Sequence, residues 1–530
     1  MKEEIVIDEE TKTRRLLKRG QRSLLRGIFS RTTVIVLLLI LQLYVIASGY
    51  VWFQQYQIHI QIAGLLIAVA SVLYLINSDM DSTAKLTWML VVLPMPVLGG
   101  LFLLYTKIDW GYNGMKRQLK GNVEKTVPLL RQNDSVLAEL KTSHSTAFNL
   151  AKYLSFGDNH FPVYKNSQVT YFSSGEEKFA ELKKQLRQAK HYIFMEYFII
   201  DEGLMWGEIL SILEEKVAEG VEVRVMYDGM IEMTTLSFDY SKRLERLGIQ
   251  SRAFAPLSPF LSTYYNYRDH RKIVVIDGEV AFTGGVNLAD EYINAIERFG
   301  HWKDTAIMVR GRAVDTFLIL FLQMWKTIKD DGTEVKAYLG QHANKLSTDG
   351  FIIPFGDSPM DNEKVGENVY IDILNQARDY VHIMTPYLIL DSEMEHALKF
   401  AAERGVDVKI IMPGIPDKQV PYYLAKTYYK SLMASGVKIY EYSPGFVHAK
   451  VFVADDSRSV VGTINLDYRS LYHHFECAAY LYHSSEIPKI ERDFQATLAD
   501  CRQVTEQSLK ELPISVKAIG AVVKAIAPLL

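Results

Sequence analysis

Long uncharged runs at one end and short apolar stretches elsewhere divide this chain into two chemically different parts. Residues 32–53, TTVIVLLLILQLYVIASGYVWF, carry no charge and are long enough to cross the ~30 Å of bilayer hydrocarbon as a helix. A second uncharged run extends from about Ile58 to Ile76, after the short loop Gln54–Gln57. The third, Leu86–Tyr105, contains Pro94, Pro96, Gly99 and Gly100, a pattern for a kinked span or a segment that dips in and returns. One such run suits a buried core helix, whereas three in succession predict a permanent membrane region. A cleaved signal peptide fits poorly, because a polar stretch precedes the first run and no small-residue cleavage site follows it.

After a polar stretch from Asp109 to Asp158 the pattern becomes that of an α/β protein. Phe179–Lys190 reads as an amphipathic helix and Tyr192–Ile200 as a buried strand bounded by Asp201-Glu202-Gly203. A helix from Trp206 to Ala218 then leads through Gly220 into a strand Val221–Tyr227. The same order returns downstream. A helix ending near Ala377 precedes the strand Tyr380–Leu390, and a helix Met394–Glu403 leads through Gly405 into Val406–Met412. EGVEVRVMYDG at Glu219–Gly229 matches RGVDVKIIMPG at Arg404–Gly414, and Leu247–Ile249 matches Ser435–Val437 in relative place. Ordered resemblance at a period of roughly 180 residues indicates an internal duplication, closer to two fused domains than to a solenoid.

Charge and cysteine content narrow the function classes. The 530 residues hold 59 Lys+Arg against 62 Asp+Glu, a formal net charge of −3, which argues against a protein that coats nucleic acid. Cys477 and Cys501 are the only cysteines and stand in no CxxC or Cys/His cluster, so a disulfide scaffold and a cysteine-based zinc site are not expected. Eight Lys/Arg between Lys12 and Arg31 place the N-terminus in the cytoplasm. Three crossings would then put the body outside, whereas Lys107, Lys116, Arg117, Lys120 and Lys125 favour the inside. The two signals agree only if one run fails to cross.

The duplication is sharpest at its chemical centre. The first half reads His270-Arg271-Lys272, four apolar residues and Asp277, then Gly284-Gly285-Val286-Asn287. The second reads His448-Ala449-Lys450, four apolar residues and Asp455, then Gly462-Thr463-Ile464-Asn465. One H-x-K-x-x-x-x-D arises by chance in roughly a few per cent of chains this long, and two copies sharing the downstream Gly and Asn far more rarely. A lone His-x-Lys is usually a solvated pair; a duplicated set in register is not. In a strand, residues two apart face one side, so each His and its Lys project into one site. A neutral imidazole acts as nucleophile or base, and Lys and Asn donate to phosphate oxygens. Two such sets would surround one phosphate.

On these residues the chain resembles the phospholipase D superfamily and, within it, bacterial cardiolipin synthases. The closer likeness rests on NYRDHRKIVVIDG at Asn266–Gly278, GGVNLADEY at Gly284–Tyr292 and WKDT at Trp302–Thr305. It rests further on TPYLIL at Thr385–Leu390, GTINLDYRSL at Gly462–Leu471, the pair Phe475-Glu476, the apolar run Lys85–Tyr105 and the end Ala527–Leu530. Two positions depart: Asp269 stands where the family often has Asn, and His474 precedes Phe475 where Asn is usual.

The resemblance implies an α/β fold of two phospholipase-D-like repeats with pseudo-two-fold symmetry, behind an N-terminal transmembrane region. The expected divisions are a basic tail 1–31, a membrane region 32–107, a connecting segment 108–160, repeats 161–345 and 346–505, and an amphipathic tail 506–530. Phosphatidylglycerol is the implied substrate and cardiolipin the product, in a bacterial cytoplasmic membrane, with no nucleic acid partner. The implied route is a covalent phosphohistidine formed without metal or other cofactor, with His270 favoured as nucleophile and His448 as acid and base. Lys272, Lys450, Asn287 and Asn465 would hold the phosphate, and Asp304 and Glu476 would orient the histidines. Asp277 and Asp455 complete the catalytic motif and are expected to close its strand. A lipid hydrolase of the same superfamily and a non-catalytic binder of anionic lipid are the alternatives. The tail from Ser508 to Leu530 fits either an interfacial helix or one packed on the body.

Overall fold

The structure is a computed structural model describing residues 56–107, 110–143, 145–155, 160–256, 266–340, 350–361 and 363–529, with short pieces at 6–8, 13–15, 44 and 48. The first apolar run and most of the basic tail lie outside the described residues. The chain divides into two units, a smaller one with the apolar helices up to Asn113 and the last residues, and a larger one running from Gly114 to Lys524.

In the smaller unit the second apolar run is the helix Gln57–Ile76, and Ile58–Ile76 is long and apolar enough to cross a membrane. Among the described residues it is the one helix that meets both conditions. Its Ile58, Leu65, Leu66 and Ile76 are exposed, unlike the side chains of a soluble core helix. The third run, expected as a kinked span or a returning segment, is two helices, Ser82–Val92 and Pro96–Lys107. Asp81 starts the first by accepting from the N–H groups of Thr83 and Ala84, and the break falls at Leu93-Pro94-Met95. At 1.5 Å per residue, each arm spans about 16–18 Å, short of a full crossing. A Cβ on Gly99 would lie 2.7 Å from Val92 Cα, and one on Gly100 2.7 Å from Ile67 Cγ2. The glycines therefore permit the close approach of these helices.

The larger unit carries two mixed sheets that share one order over seven strands, the second extended by a further edge strand. In the first, neighbouring strands are Ser167–Phe172, Ala306–Gly311, Val280–Gly284, Ile273–Ile276, Tyr192–Tyr197, Glu222–Asp228 and Gln250–Phe254. In the second they are Phe351–Asp357, His474–Tyr482, Arg458–Gly462, Val451–Ala454, Tyr380–Met384, Asp407–Pro413, Lys438–Tyr442 and Cys501–Gln503. The central strands are apolar on both faces because each face is covered, which is why they read as unbroken runs rather than alternation. The helix Val314–Ile328, almost wholly buried, packs on strands of both sheets.

The observed elements differ from the expected ones where a cap or a proline intervenes. Ser174 accepts from Glu177 N, so the first helix begins at Gly175 rather than Phe179. Asp391 does the same for Ser392–Glu403. The strand expected over Tyr380–Leu390 stops at Met384, because Pro386 follows and cannot donate to a ladder; Leu388–Ile389 pairs separately with Leu466–Asp467. The strand expected to reach Ile200 likewise ends at Tyr197. At the C-terminus, helix Ile514–Ile526 packs Gly520 against Tyr423 and Thr427, and Lys524 Nζ lies 3.8 Å from the Tyr428 ring centre. Ile514 and Val522 remain exposed on its other side.

Asp277 and Asp455 end their strands in turns that need a left-handed backbone, with φ of 53° and 50°. Asp277 accepts from the N–H groups of Lys190, His191 and Tyr192, and Asp455 from those of Arg378, Asp379 and Tyr380, at 2.7–3.0 Å. Each carboxylate thus caps the entry to the neighbouring strand, at the end of its own strand remote from the His. Asp455→Ala is expected to lower unfolding free energy by about 2–3 kcal/mol, through three lost charge-assisted bonds and a strained turn. A urea midpoint unchanged from the parent would refute that capping role.

Candidate active site

Both His-x-Lys segments lie just outside the strands they were expected to occupy. Ile273–Ile276 and Val451–Ala454 begin after Lys272 and Lys450, so each segment is a link entering its strand. Two short parallel ladders hold these links against the other half. Arg268–Asp269 pairs with His474-Phe475, and the His270 N–H continues the contact to Phe475 O at 3.0 Å. His301–Lys303 pairs with Gly445–Val447, and the His448 N–H donates to Lys303 O at 2.7 Å.

The ladders make the histidines exchange partners across the duplication. His270 Nδ1 lies 2.9 Å from both carboxylate oxygens of Glu476, and His448 Nδ1 lies 2.7 Å from Asp304 Oδ2. All four residues are buried. With Nδ1 engaged by a carboxylate, Nε2 is the ring nitrogen left for chemistry. Lys272 Nζ donates to His270 O at 2.6 Å; Lys450 Nζ donates to His448 O and lies 2.9 Å from His448 Nδ1.

Burial sets the protonation of the group. It pushes both imidazoles well below their usual range; Glu476 opposes this at His270, while the Lys450 and Lys272 charges reinforce it at His448. Burial likewise brings Lys272 down to about 8 and Lys450 to about 7, each against nearby carboxylates. Asp304 is pushed up to about 6 by burial despite Lys450. Burial raises Glu476 too, but its hydrogen-bonded pairing with His270, aided by His474, prevails and holds it below the carboxylate range. Lys272 influences His448 and Lys450, while Asp304 and Glu476 influence both lysines, so the two motifs share one centre. Neutral imidazoles with usable lone pairs, flanked by cationic donors, suit nucleophilic and acid–base work on a phosphate ester.

The two Asn residues are held differently. Asn287 accepts from Ile199 N at 3.1 Å and donates to Tyr292 OH at 2.7 Å. Asn465 Nδ2 reaches Asp467 only at 3.5 Å, and its Oδ1 is buried without a hydrogen-bond partner. Arg271 and Asp269 pair with each other at 3.0 Å, and Arg271 reaches Glu196 at 2.5 Å, so the one guanidinium is shared by two carboxylates, of which burial pushes Glu196 well up.

Several residues of the site have no role assigned from sequence: Phe198 lies in no quoted motif, while Tyr292, Trp302 and Thr463 lie within the family motifs without being singled out. Phe198 lies 5.0 Å from His270, and Tyr292 and Trp302 lie 5.3 and 5.4 Å from His448, ring centre to ring centre. Thr463 donates to Glu476, whereas at the matching Gly285 a Cβ would collide with Asp304 at 2.0 Å. The difference between GGVN and GTIN was the legible trace of that asymmetry. His474, noted from sequence only as a departure, has its ring centre 5.4 Å from that of His270 and Nδ1 3.6 Å from Glu476. A wide cleft of about 740 Å³ lined by Tyr192, Asp277 and Tyr338 lies at the opposite strand ends and holds none of this chemistry.

Residues 182–316 and 370–498 match the family described as cardiolipin synthase, PLD-like domain. The chain is 34% identical over 455 residues to the cardiolipin synthase of Alkalihalophilus pseudofirmus, covering 84% of this chain and 89% of that one. It is 63% identical over 462 residues to an uncharacterised protein of Streptococcus mutans serotype c, covering 87% and 100%. The crystal structure of phosphatidylserine synthase from Haemophilus influenzae Rd KW20 is similar with a TM-score of 0.51 at 17% identity, over 68% of this chain and 93% of that one, a likeness of fold alone.

Proposed function

Since the chain belongs to the phospholipase D-like cardiolipin synthase family and is an enzyme of the phosphatidyltransferase type, we propose that it makes cardiolipin from two molecules of phosphatidylglycerol. His270 Nε2 attacks the phosphorus of the first, and the bond to the headgroup glycerol breaks. His448 gives that glycerol oxygen its proton. His448 then takes the proton of a headgroup hydroxyl on the second phosphatidylglycerol, whose oxygen attacks the phosphohistidine and frees His270. Phosphodiester replaces phosphodiester, so no activated donor enters the balance.

Each neighbour has a part in this reading. Lys272, Lys450 and the two Asn amides bind the phosphate oxygens and stabilise charge in the trigonal-bipyramidal state. Asp304 and Glu476 hold the tautomer in which Nδ1 carries a proton and Nε2 reacts. The incoming phosphodiester charge favours the imidazolium that His448 needs as an acid. The observation that carries the reading is the reciprocal pairing of His270 with Glu476 and His448 with Asp304. The repeated strand order supports pseudo-two-fold symmetry, and the long apolar helix supports one span of the proposed anchor in the cytoplasmic membrane. Confinement at a bilayer raises the local concentration of the lipid alcohol over water.

The test is a product analysis of the full chain with pure phosphatidylglycerol. Cardiolipin and glycerol in equal amounts are expected; phosphatidic acid alone would make the protein a hydrolase, and no turnover a lipid binder. The profile of kcat/KM against pH should be a bell. Its acid limb falls as pH drops through about 6, where Asp304 protonates and ceases to support His448. Its alkaline limb falls from about 7 to 8, as Lys450 and Lys272 lose charge. A rate independent of pH from 5 to 9 would contradict these assignments.

A further inference from the structure

His474 belongs to the site but has no part in the transfer reaction. It lies two residues before Glu476 on the same strand face, as Trp302 lies two before Asp304. The two positions match in space as well, each ring centre 5.4 Å from its histidine. Trp302 offers no ligand atom, whereas His474 offers an imidazole nitrogen. The His270 half of the centre therefore holds three metal-binding groups, and the His448 half does not.

Those groups are close together. Ligand atoms of His270, His474 and Glu476 all lie within 4.8 Å of one another, with 2.9 Å from His270 Nδ1 to Glu476 and 3.6 Å from His474 Nδ1 to Glu476 Oε1. Ligands around a tetrahedral zinc ion sit about 3.3 Å apart, so only small side-chain movements separate this arrangement from coordination. His474 is 8% exposed, and its Nδ1 is buried with no hydrogen-bond partner. At 3.6 Å from the carboxylate, beyond hydrogen-bond length, this imidazole nitrogen interacts with Glu476 electrostatically and is placed to share a bound ion with it. Two imidazoles and a carboxylate suit zinc and its neighbours among the transition metals rather than magnesium or calcium, which prefer oxygen sets.

We propose that His270, His474 and Glu476 form a binding site for a zinc-class transition-metal ion, and that its occupancy switches the enzyme off. The chemistry of inhibition is direct. Coordination of His270 through Nδ1 moves the imidazole proton to Nε2, the nitrogen that must attack phosphorus. A nitrogen bearing that proton has no lone pair in the ring plane to form the bond. The metal also takes the Glu476 carboxylate that orients the ring. The inhibitory half of this proposal rests on the reading of His270 as a reacting group; the binding half does not.

The experiment separates the two halves. The detergent-solubilised full chain, stripped with chelator and freed of lipid, is titrated with zinc ion alone by calorimetry and equilibrium dialysis. One zinc per chain is expected. His474→Asn should weaken binding at least about tenfold, since even loss of an outer partner of a metal ligand costs that much. His448→Asn should leave binding as it was. Titration of the parent chain with cobalt(II) should give an intense tetrahedral visible spectrum that zinc removes, a readout that needs no variant. Synthesis in zinc divided by synthesis in chelator should fall at least about tenfold for the parent and stay near one for His474→Asn, with magnesium inert for both. No zinc binding, or equal binding by parent and His474→Asn, would overturn the site. Binding that depends on His474 without any loss of synthesis would overturn the switch and count against His270 as the nucleophile.

Discussion

His270→Ala and His448→Ala should each remove phosphatidyl transfer, with the rate falling at least about 10³-fold and membrane association unchanged. Neither side chain lies in a sheet ladder, so folding should survive, as circular dichroism and elution in detergent can check. The two losses should still differ in kind. With a phosphatidyl ester of p-nitrophenol, the leaving group needs no proton, and the first step no longer depends on His448. His448→Ala should then release one burst of nitrophenolate per chain and accumulate a phosphatidyl adduct at His270, located by mass spectrometry of peptides. His270→Ala should give no burst. An adduct at His448 in the converse variant would exchange the two roles, and near-normal turnover by either variant would rule out a two-histidine reaction.

Glu476→Gln and Asp304→Asn should be nearly as damaging, at about 10²–10⁴-fold in kcat, although neither carboxylate touches the phosphate in the proposed reaction. The amides preserve shape but remove the charge that accepts from Nδ1 and stabilises an imidazolium. Glu476→Gln acts across the duplication on His270, and Asp304→Asn on His448, because of the pairing seen here. Ring-nitrogen chemical shifts in ¹⁵N-histidine-labelled protein can verify this directly: Glu476→Gln should move His270 and leave His448 nearly unchanged. Residues acting as one unit are non-additive, so His270→Ala combined with Glu476→Gln should be no worse than His270→Ala alone. A kcat reduced less than about tenfold by either carboxylate change would mean that packing alone orients the rings.

The amino-acid sequence by itself determined the residue types of the candidate site and the family they resemble. Two copies of H-x-K-x-x-x-x-D in register, with Gly284 and Gly462 and with Asn287 and Asn465 at matching offsets, point to the candidate site residues and to the duplication. The order of strands and helices was legible for a local reason. Apolar runs such as Ile273–Ile276 act over a few residues, within the span a pattern can report, whereas the equally local caps at Ser174 and Asp391 were not read and the expected helices began late. The break at Pro386 was readable in principle and was outweighed by the apolar run around it.

What only the tertiary structure decided is which groups meet. Glu476 is 206 residues from His270 and Asp304 is 144 from His448, and no periodicity links such distances. Two three-residue contacts, Arg268–His270 on the strand of His474 and His301–Lys303 on Gly445–Val447, cross the carboxylates over between the halves. The same contacts bring His474 beside His270 and turn a single departure from a family pattern into a third ligand position. The lysine and Asp304 shifts belong to this level too, because burial is their largest cause and exists only once both halves have closed around the site.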